Sequence, residues 1–178
     1  MKTNRCNRAR CTLSGLLIGL LLVCFSGAVF AADSSPQVSL DTAKAMPRSV
    51  EALTQRAILR DYKFAWTSLS HALESSSTGP LTGIFDGAAS ESLQSAVKGE
   101  QSSGVTCRYT NQAHKLQAVF YAPEGDLIEL HDTAEYDIEI SDGGKAIHNE
   151  HAVVRYVVLM TPGADRWVIR QLQAVQQF

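Results

Sequence analysis

Apolar positions change their spacing twice along this chain, and each change marks a new kind of element. Between Leu53 and Leu73 the residues Leu59, Tyr62, Trp66, Leu69 and Leu73 recur at three- and four-residue steps. That period places them on one stripe of an α-helix. Arg56, Arg60, Lys63 and Ser70 fall mostly off the stripe, as a surface helix requires. Ser49 is the expected N-cap, with Glu51 in the first turn where the helix dipole favours an acid. The run Ser75-Ser76-Ser77-Thr78-Gly79-Pro80 ends the helix. Leu81 to Phe85 reads as a short apolar plug, and Asp86 as the cap of a second helix through about Gly99, with Ala89, Leu93 and Val97 inward. Gln101 to Gly104 reads as a loop.

Beyond Gly104 the period shortens to two. Leu116, Ala118 and Phe120 alternate with Lys115, Gln117, Val119 and Tyr121, which predicts a one-sided strand over His114–Tyr121. After the turn 122–126, Leu127 to Ser141 alternates for most of fifteen residues. Ile128, Leu130, Ala134, Tyr136, Ile138 and Ile140 face one way; Glu129, His131, Thr133, Glu135, Asp137 and Glu139 face the other. Asp142-Gly143-Gly144-Lys145 is a hairpin turn. Val153 to Met160 is almost continuously apolar, which predicts a central strand covered on both faces. Thr161 to Asp165 turns again, and Trp167 to Val175 closes the sheet. Helices followed by an antiparallel meander make an α+β domain.

The N-terminal pattern is of another kind. Lys2, Arg5, Arg8 and Arg10 precede the apolar stretch Leu16–Phe25, and Val29-Phe30-Ala31 satisfies the small-residue rule for signal-peptidase cleavage. Residues 1–31 are therefore expected to be a signal peptide. The alternative is an uncleaved anchor, since Leu13 to Ala32 carries no charge over a membrane-spanning length. Residues 32–48, polar and small with Pro36 and Pro47, read as a flexible linker, leaving 49–178 as the folded domain. Either outcome puts that domain outside the cytoplasm: periplasmic or secreted, or held at the inner membrane by the N-terminal segment.

Export changes how the charge is read. The chain has 16 basic and 18 acidic residues, a net charge of −2; cleavage after Ala31 removes four bases and no acid, leaving −6. Such a domain is not built to hold nucleic acid or an anionic membrane surface. Cys6, Cys11 and Cys24 lie in the targeting segment, so Cys107 alone remains and no intrachain disulfide framework is available. Stability must then come from a packed core.

The order helix, plug, second helix and meander resembles the NTF2-like, SnoaL-like superfamily from about Leu53 to Val175. The residues that carry the resemblance are Tyr62-Lys63-Phe64-Ala65-Trp66, Val119-Phe120-Tyr121, Val153-Val154-Arg155-Tyr156-Val157-Val158 and Arg166-Trp167-Val168-Ile169. The resemblance implies a cone in which a curved sheet wraps the long helix. It also implies an apolar cavity at the open end, lined here by Tyr62, Trp66, Leu130, Tyr136, Arg155 and Trp167. Domains of this type often dimerise through the open sheet face. Members include isomerases, cyclases, dehydratases, transport factors and non-catalytic partners of secretion machines, so activity must be argued from the site.

One residue breaks the pattern. Asp132 falls between Leu130 and Ala134 on the apolar face, where desolvation favours the protonated acid and hence proton-transfer chemistry near neutral pH. Asp132 is the candidate general base of a SnoaL-like isomerase or hydrolase, with Tyr136 or Arg155 polarising the substrate. Two bland readings compete: a bulge near His131 turns the carboxylate outward, or Arg155 neutralises it as a structural ion pair.

Glu124 to Asp142 holds eight of the eighteen acids and no Lys or Arg. Glu129, Glu135, Asp137 and Glu139 then form an acidic ladder that either is simply solvated or docks a basic partner. His131 is expected to be solvated on that face, and His71 and His114 to stand alone. His148 and His151 lack the ligand set of a zinc site, and no metal or other cofactor is expected. No G-x-S-x-G, H-E-x-x-H, P-loop or G-x-G-x-x-G occurs. The leading expectation is a non-catalytic binding or assembly module for a protein partner or a small apolar ligand. A SnoaL-like enzyme and a membrane-tethered component of an envelope complex stand as alternatives.

Overall fold

The computed structural model describes residues 35–178; the expected signal peptide or anchor lies outside them. Strand β1 (Gln37–Asp41) and the short β2 (Met46–Pro47) precede helix α1 (Ala52–Glu74). A 3-10 turn at Gly79–Leu81 leads to α2 (Gly87–Ser103), and four long strands follow: β3 (Val105–Tyr121), β4 (Ile128–Asp142), β5 (Lys145–Pro162) and β6 (Trp167–Val175). The strands form one six-stranded mixed sheet in the order β1-β3-β4-β5-β6, with β2 also on β3. β3 to β6 are an antiparallel meander, whereas β1 and β2 run parallel to β3. Two helices packed on a curved, open sheet give the expected α+β class and a cone-like arrangement.

Segment 37–41 corrects the linker reading. It pairs with β3 from Gln37 opposite Ala113 to Asp41 opposite Gln117, and Val38 and Leu40 pack against the core. Five residues of period-two alternation are a weak signal, and the pairing partner lies far along the chain, so local composition hid the strand.

The core side of α1 is occupied by Ile58, Tyr62, Ala65, Trp66, Leu69, Ala72 and Leu73. Its stripe starts at Ile58, with Leu59 only half-buried. The N-cap is Glu51 rather than Ser49, and it makes no side-chain cap. Its carboxylate pairs instead with Arg48 and accepts from the Tyr121 hydroxyl at 3.2 Å. Asp86 caps α2 as expected, accepting from the Gly87 N–H at 2.7 Å. The helix runs to Ser103, four residues beyond Gly99, and stops at Gly104, whose φ of +72° closes the last turn. Leu81, Ile84 and Phe85 are buried as a plug beneath the helices.

Two of the sheet's register shifts fall in β3. This strand begins at Val105 rather than His114, and its register against β4 shifts between Thr110 and Ala113 and again between Ala118 and Phe120. At the first shift Asn111 takes a φ of +53°, and Gln112 turns inward to donate to Ser70 Oγ on α1 at 2.7 Å. The second shift reverses the alternation, so Tyr121 is buried and Phe120 is 39% exposed. Each extra residue bends the strand and tightens its twist, which lets a sheet wrap a helix. The hairpin at Gly143-Gly144, both with positive φ, joins β4 and β5 as expected. β5 lies inside the sheet, but the helices cover one face only: Val158 and Met160 are buried while Val153 is 56% exposed. Continuous apolarity there reflects neighbouring strands, not a second layer.

The placement of β1 predicts the effect of Leu40→Asp. It should lower unfolding free energy by about 2 kcal/mol, because a half-buried aliphatic group is lost and a carboxylate must be hydrated at the core edge. A chemical melt unchanged from the parent protein would return residues 37–41 to the status of a tether.

Candidate functional site

Asp132 stays on the inner face and is fully buried. Strand alternation sets its direction, and the register places Leu116 and Tyr156 directly across from it on β3 and β5. Its Oδ2 accepts two hydrogen bonds, from the Tyr62 hydroxyl at 2.7 Å and from His114 Nδ1 at 2.8 Å. Tyr62 comes from α1, and His114 lies one diagonal step away on β3, two residues before Leu116. Diagonal neighbours on one face are within reach of long side chains. All three side chains are enclosed, with Tyr62 and Asp132 at 0% exposure and His114 at 1%. Burial first, and the negative charge of Asp132 second, hold the Tyr62 phenol well above its ordinary value of 10.0, so it remains a donor at any physiological pH.

Aromatic rings enclose this link. Trp66 packs on His114 at a centroid distance of 4.3 Å and lies 5.9 and 5.7 Å from Tyr136 and Tyr156. The Tyr136 and Tyr156 hydroxyls are 2.8 Å apart, and burial raises both phenols. Asp132 Oδ1, His114 Nε2 and Trp66 Nε1 are buried without a hydrogen-bond partner.

The expected cavity lining falls differently. Tyr62, Trp66, Leu130, Tyr136 and Trp167 are core residues with exposures between 0% and 9%. Arg155 lies on the opposite face of the sheet, across from Thr133, and its guanidinium reaches the Gln176 carbonyl. It therefore does not pair with Asp132. The reason is parity: Tyr156 opposes Asp132, so the preceding residue must point away. His114, expected to stand alone, is the actual partner; it shares parity with Leu116 and Ala118, and that alternation was the available signal.

A second buried carboxylate had no such signal. Asp61 is 5% exposed, is paired with Arg60 at 2.7 Å, and accepts from the Trp167 backbone N–H at 2.7 Å, tying α1 to the start of β6. Cys107 is 6% exposed, and burial pushes its thiol up to about 11, so it is a core residue rather than a nucleophile.

The four acids Glu129, Glu135, Asp137 and Glu139 share the outer face, where local cations meet them. Asp137 accepts from Asn111 at 2.6 Å and faces His151 Nδ1 at 2.7 Å. His151 Nε2 is 3.4 Å from Glu135, and Arg108 is 4.0 Å from Glu139. His131 is half-buried rather than solvated, 3.4 Å from Glu129 and stacked on Phe178 at 4.3 Å. Arg108, Asp137, Glu139, Glu150 and His151 border an open hollow of about 430 Å³. His148 contacts Glu150 alone, and no cluster of three or more metal-binding side chains occurs among the described residues.

No family model matches the chain, and no curated protein does. Among solved structures it is similar to the crystal structure of the intermembrane space region of the chloroplast protein ARC6. The two share 16% identity and a TM-score of 0.56, over 72% of this chain and 98% of that one. At that identity the likeness is one of fold. No helix among the described residues is long and apolar enough to cross a membrane.

Two outcomes follow from the contacts. Tyr62→Phe removes one donor to a buried carboxylate and should cost about 1–3 kcal/mol of stability, read from denaturant melts. A neutral result would mean that the hydroxyl bears no load. On the outer face, Asp137 holds the His151 imidazole above its ordinary 6.5, while Asn111 and His151 hold Asp137 below 3.8. The imidazole's contribution is complete below pH 6.5 and fades as pH rises through its folded value; that of Asp137 is present above pH 3.8 and fades as pH falls through its own lowered value. The pair is therefore strongest between those limits. NMR titration of His151 should show a midpoint above 6.5 that falls back in Asp137→Asn.

Proposed function

We propose that this chain is an exported NTF2-like domain acting as a non-catalytic binding or assembly module. The observation that carries the reading is the complete enclosure of Asp132 by Tyr62, His114 and the ring cluster. A general base must come within hydrogen-bond reach of the proton it removes from substrate. Here both hydrogen bonds to the carboxylate are internal, one joining helix to sheet and the other strand to strand. The chemistry supports a structural polar link more readily than a reacting group.

The outer face is the surface offered to a partner. Glu129, Glu135, Asp137 and Glu139 present an acidic ladder beside exposed Val153, a mixture that suits a basic protein segment with an apolar residue. Periplasmic or secreted location, and the alternative of a membrane-tethered envelope component, rest on the N-terminal pattern of residues 1–31. The SnoaL-like enzyme is the rival, and it draws on the unpartnered Asp132 Oδ1 and His114 Nε2.

Charge reversal tests the binding reading. The combined variant Glu135→Lys, Asp137→Lys and Glu139→Lys should lose salt-sensitive retention of a basic envelope protein that the parent domain captures. Equal capture by both would remove the ladder from the interface. Against the rival, turnover of a small organic substrate that vanishes in Asp132→Asn with the fold intact would overturn the non-catalytic reading.

A further inference from the structure

A further cleft lies apart from both the buried cluster and the acidic face. About 680 Å³ opens between the outward side of α1, the segment that follows its 3-10 turn and the turn joining β5 to β6. Its apolar floor is Phe64, Pro80 and Ile84; its polar groups include Ser68, His71 and Arg166. The volume is within the range that ligand sites occupy, about 300–1,000 Å³. An adjoining hollow of about 340 Å³ shares Phe64, Asp165 and Arg166 and adds Arg60.

Three features distinguish this cleft from an ordinary surface groove. Phe64 is 45% exposed on a helix whose other aromatic residues are buried, and the Arg166 guanidinium lies over its ring at 4.8 Å. Ser68 is only 8% exposed, and its hydroxyl makes no hydrogen bond among the described residues. A serine buried to that degree ordinarily finds a partner. Finally, the chain beyond Ala31 carries −6, yet this cleft and its rim hold two guanidiniums and an imidazole against Asp61 and Asp165. The charges pair one to one, Asp165 with Arg166 at 2.9 Å and Asp61 with Arg60 at 2.7 Å, and the Trp167 N–H also donates to Asp61, so each guanidinium is held in place with its remaining N–H donors still free of a carboxylate.

We infer that this cleft binds a small amphipathic carboxylate, its apolar body on Phe64, Pro80 and Ile84 and its anionic head toward the Ser68 hydroxyl and the Arg166 guanidinium. Arg166 is pre-oriented by Asp165 and the Phe64 ring, so little side-chain freedom is lost on binding. The inference does not depend on the acidic face, and charge reversal there leaves it untouched.

The test is an NMR titration of the purified protein with 3-phenylpropionate and, in parallel, its neutral amide. Saturable shifts confined to Phe64, Ser68, His71 and Arg166 are expected, with the carboxylate bound at least about fivefold more tightly than the amide. Arg166→Gln should abolish that preference, and Ser68→Ala should weaken the carboxylate by about three- to tenfold. The same spectra report whether each variant is folded. Linear, unsaturated shifts up to about 20 mM, which is weaker than about 2.3 kcal/mol of binding, would overturn the inference. So would saturation centred elsewhere, or equal affinity for acid and amide.

Discussion

One carboxylate holds the two layers of this domain in register. Asp132 projects from the middle of the central strand into an interior that has removed it from water. An unpaired charge there is intolerable, so Tyr62 of the long helix and His114 of the adjacent strand must approach it. Both hydrogen bonds are directional, whereas the apolar contacts around them are not. The Tyr62 bond therefore selects one rotation of α1 over the sheet from the several that hydrophobic packing alone accepts, while the His114 bond fixes the carboxylate it meets. Trp66, stacked on His114, extends the constraint into the ring cluster, and Asp61 supplies a comparable fixed point nearer the sheet's far edge. Between them the helix is pinned at two carboxylates, one its own and one the sheet's.

That pinning works only because the sheet is bent. The two register shifts in β3 turn its ends toward the helix, and Gln112 at the first of them joins the bulge to Ser70. The second shift moves Tyr121 inward, where its hydroxyl meets Glu51 at the start of α1. Bulge, helix start and helix middle thus form a closed set of contacts. The outer face remains free of such obligations, and its acids and histidines satisfy one another at the surface.

Much of this was legible in the amino-acid order. The helix stripe, the Gly143-Gly144 hairpin and the inward position of Asp132 follow from periods of 3.6 and 2, which are local properties. What was not legible depends on residues far apart in sequence. His114 looked solitary because its partner is eighteen residues away on another strand, and Arg155 looked available because its face depends on the register between β4 and β5, which pairs it with Thr133 and is not a local property. Asp61 gave no sign at all, since its anchor is a backbone N–H more than a hundred residues downstream. β1 was masked by a composition that is equally typical of loops.

The parallel seating of β1 has a consequence for the order in which the molecule is assembled. Its partner positions in β3 lie 76 residues further along, as with Gln37 and Ala113. The hairpins of the meander, by contrast, join neighbours in sequence and close at small entropic cost. A chain that emerges from its N-terminus therefore presents the edge strand first and seats it late. Until β3 is in place, Val38 and Leu40 have nothing to cover, and the growing sheet keeps one flank unguarded. The first segment of the domain to appear is the clasp that shuts it.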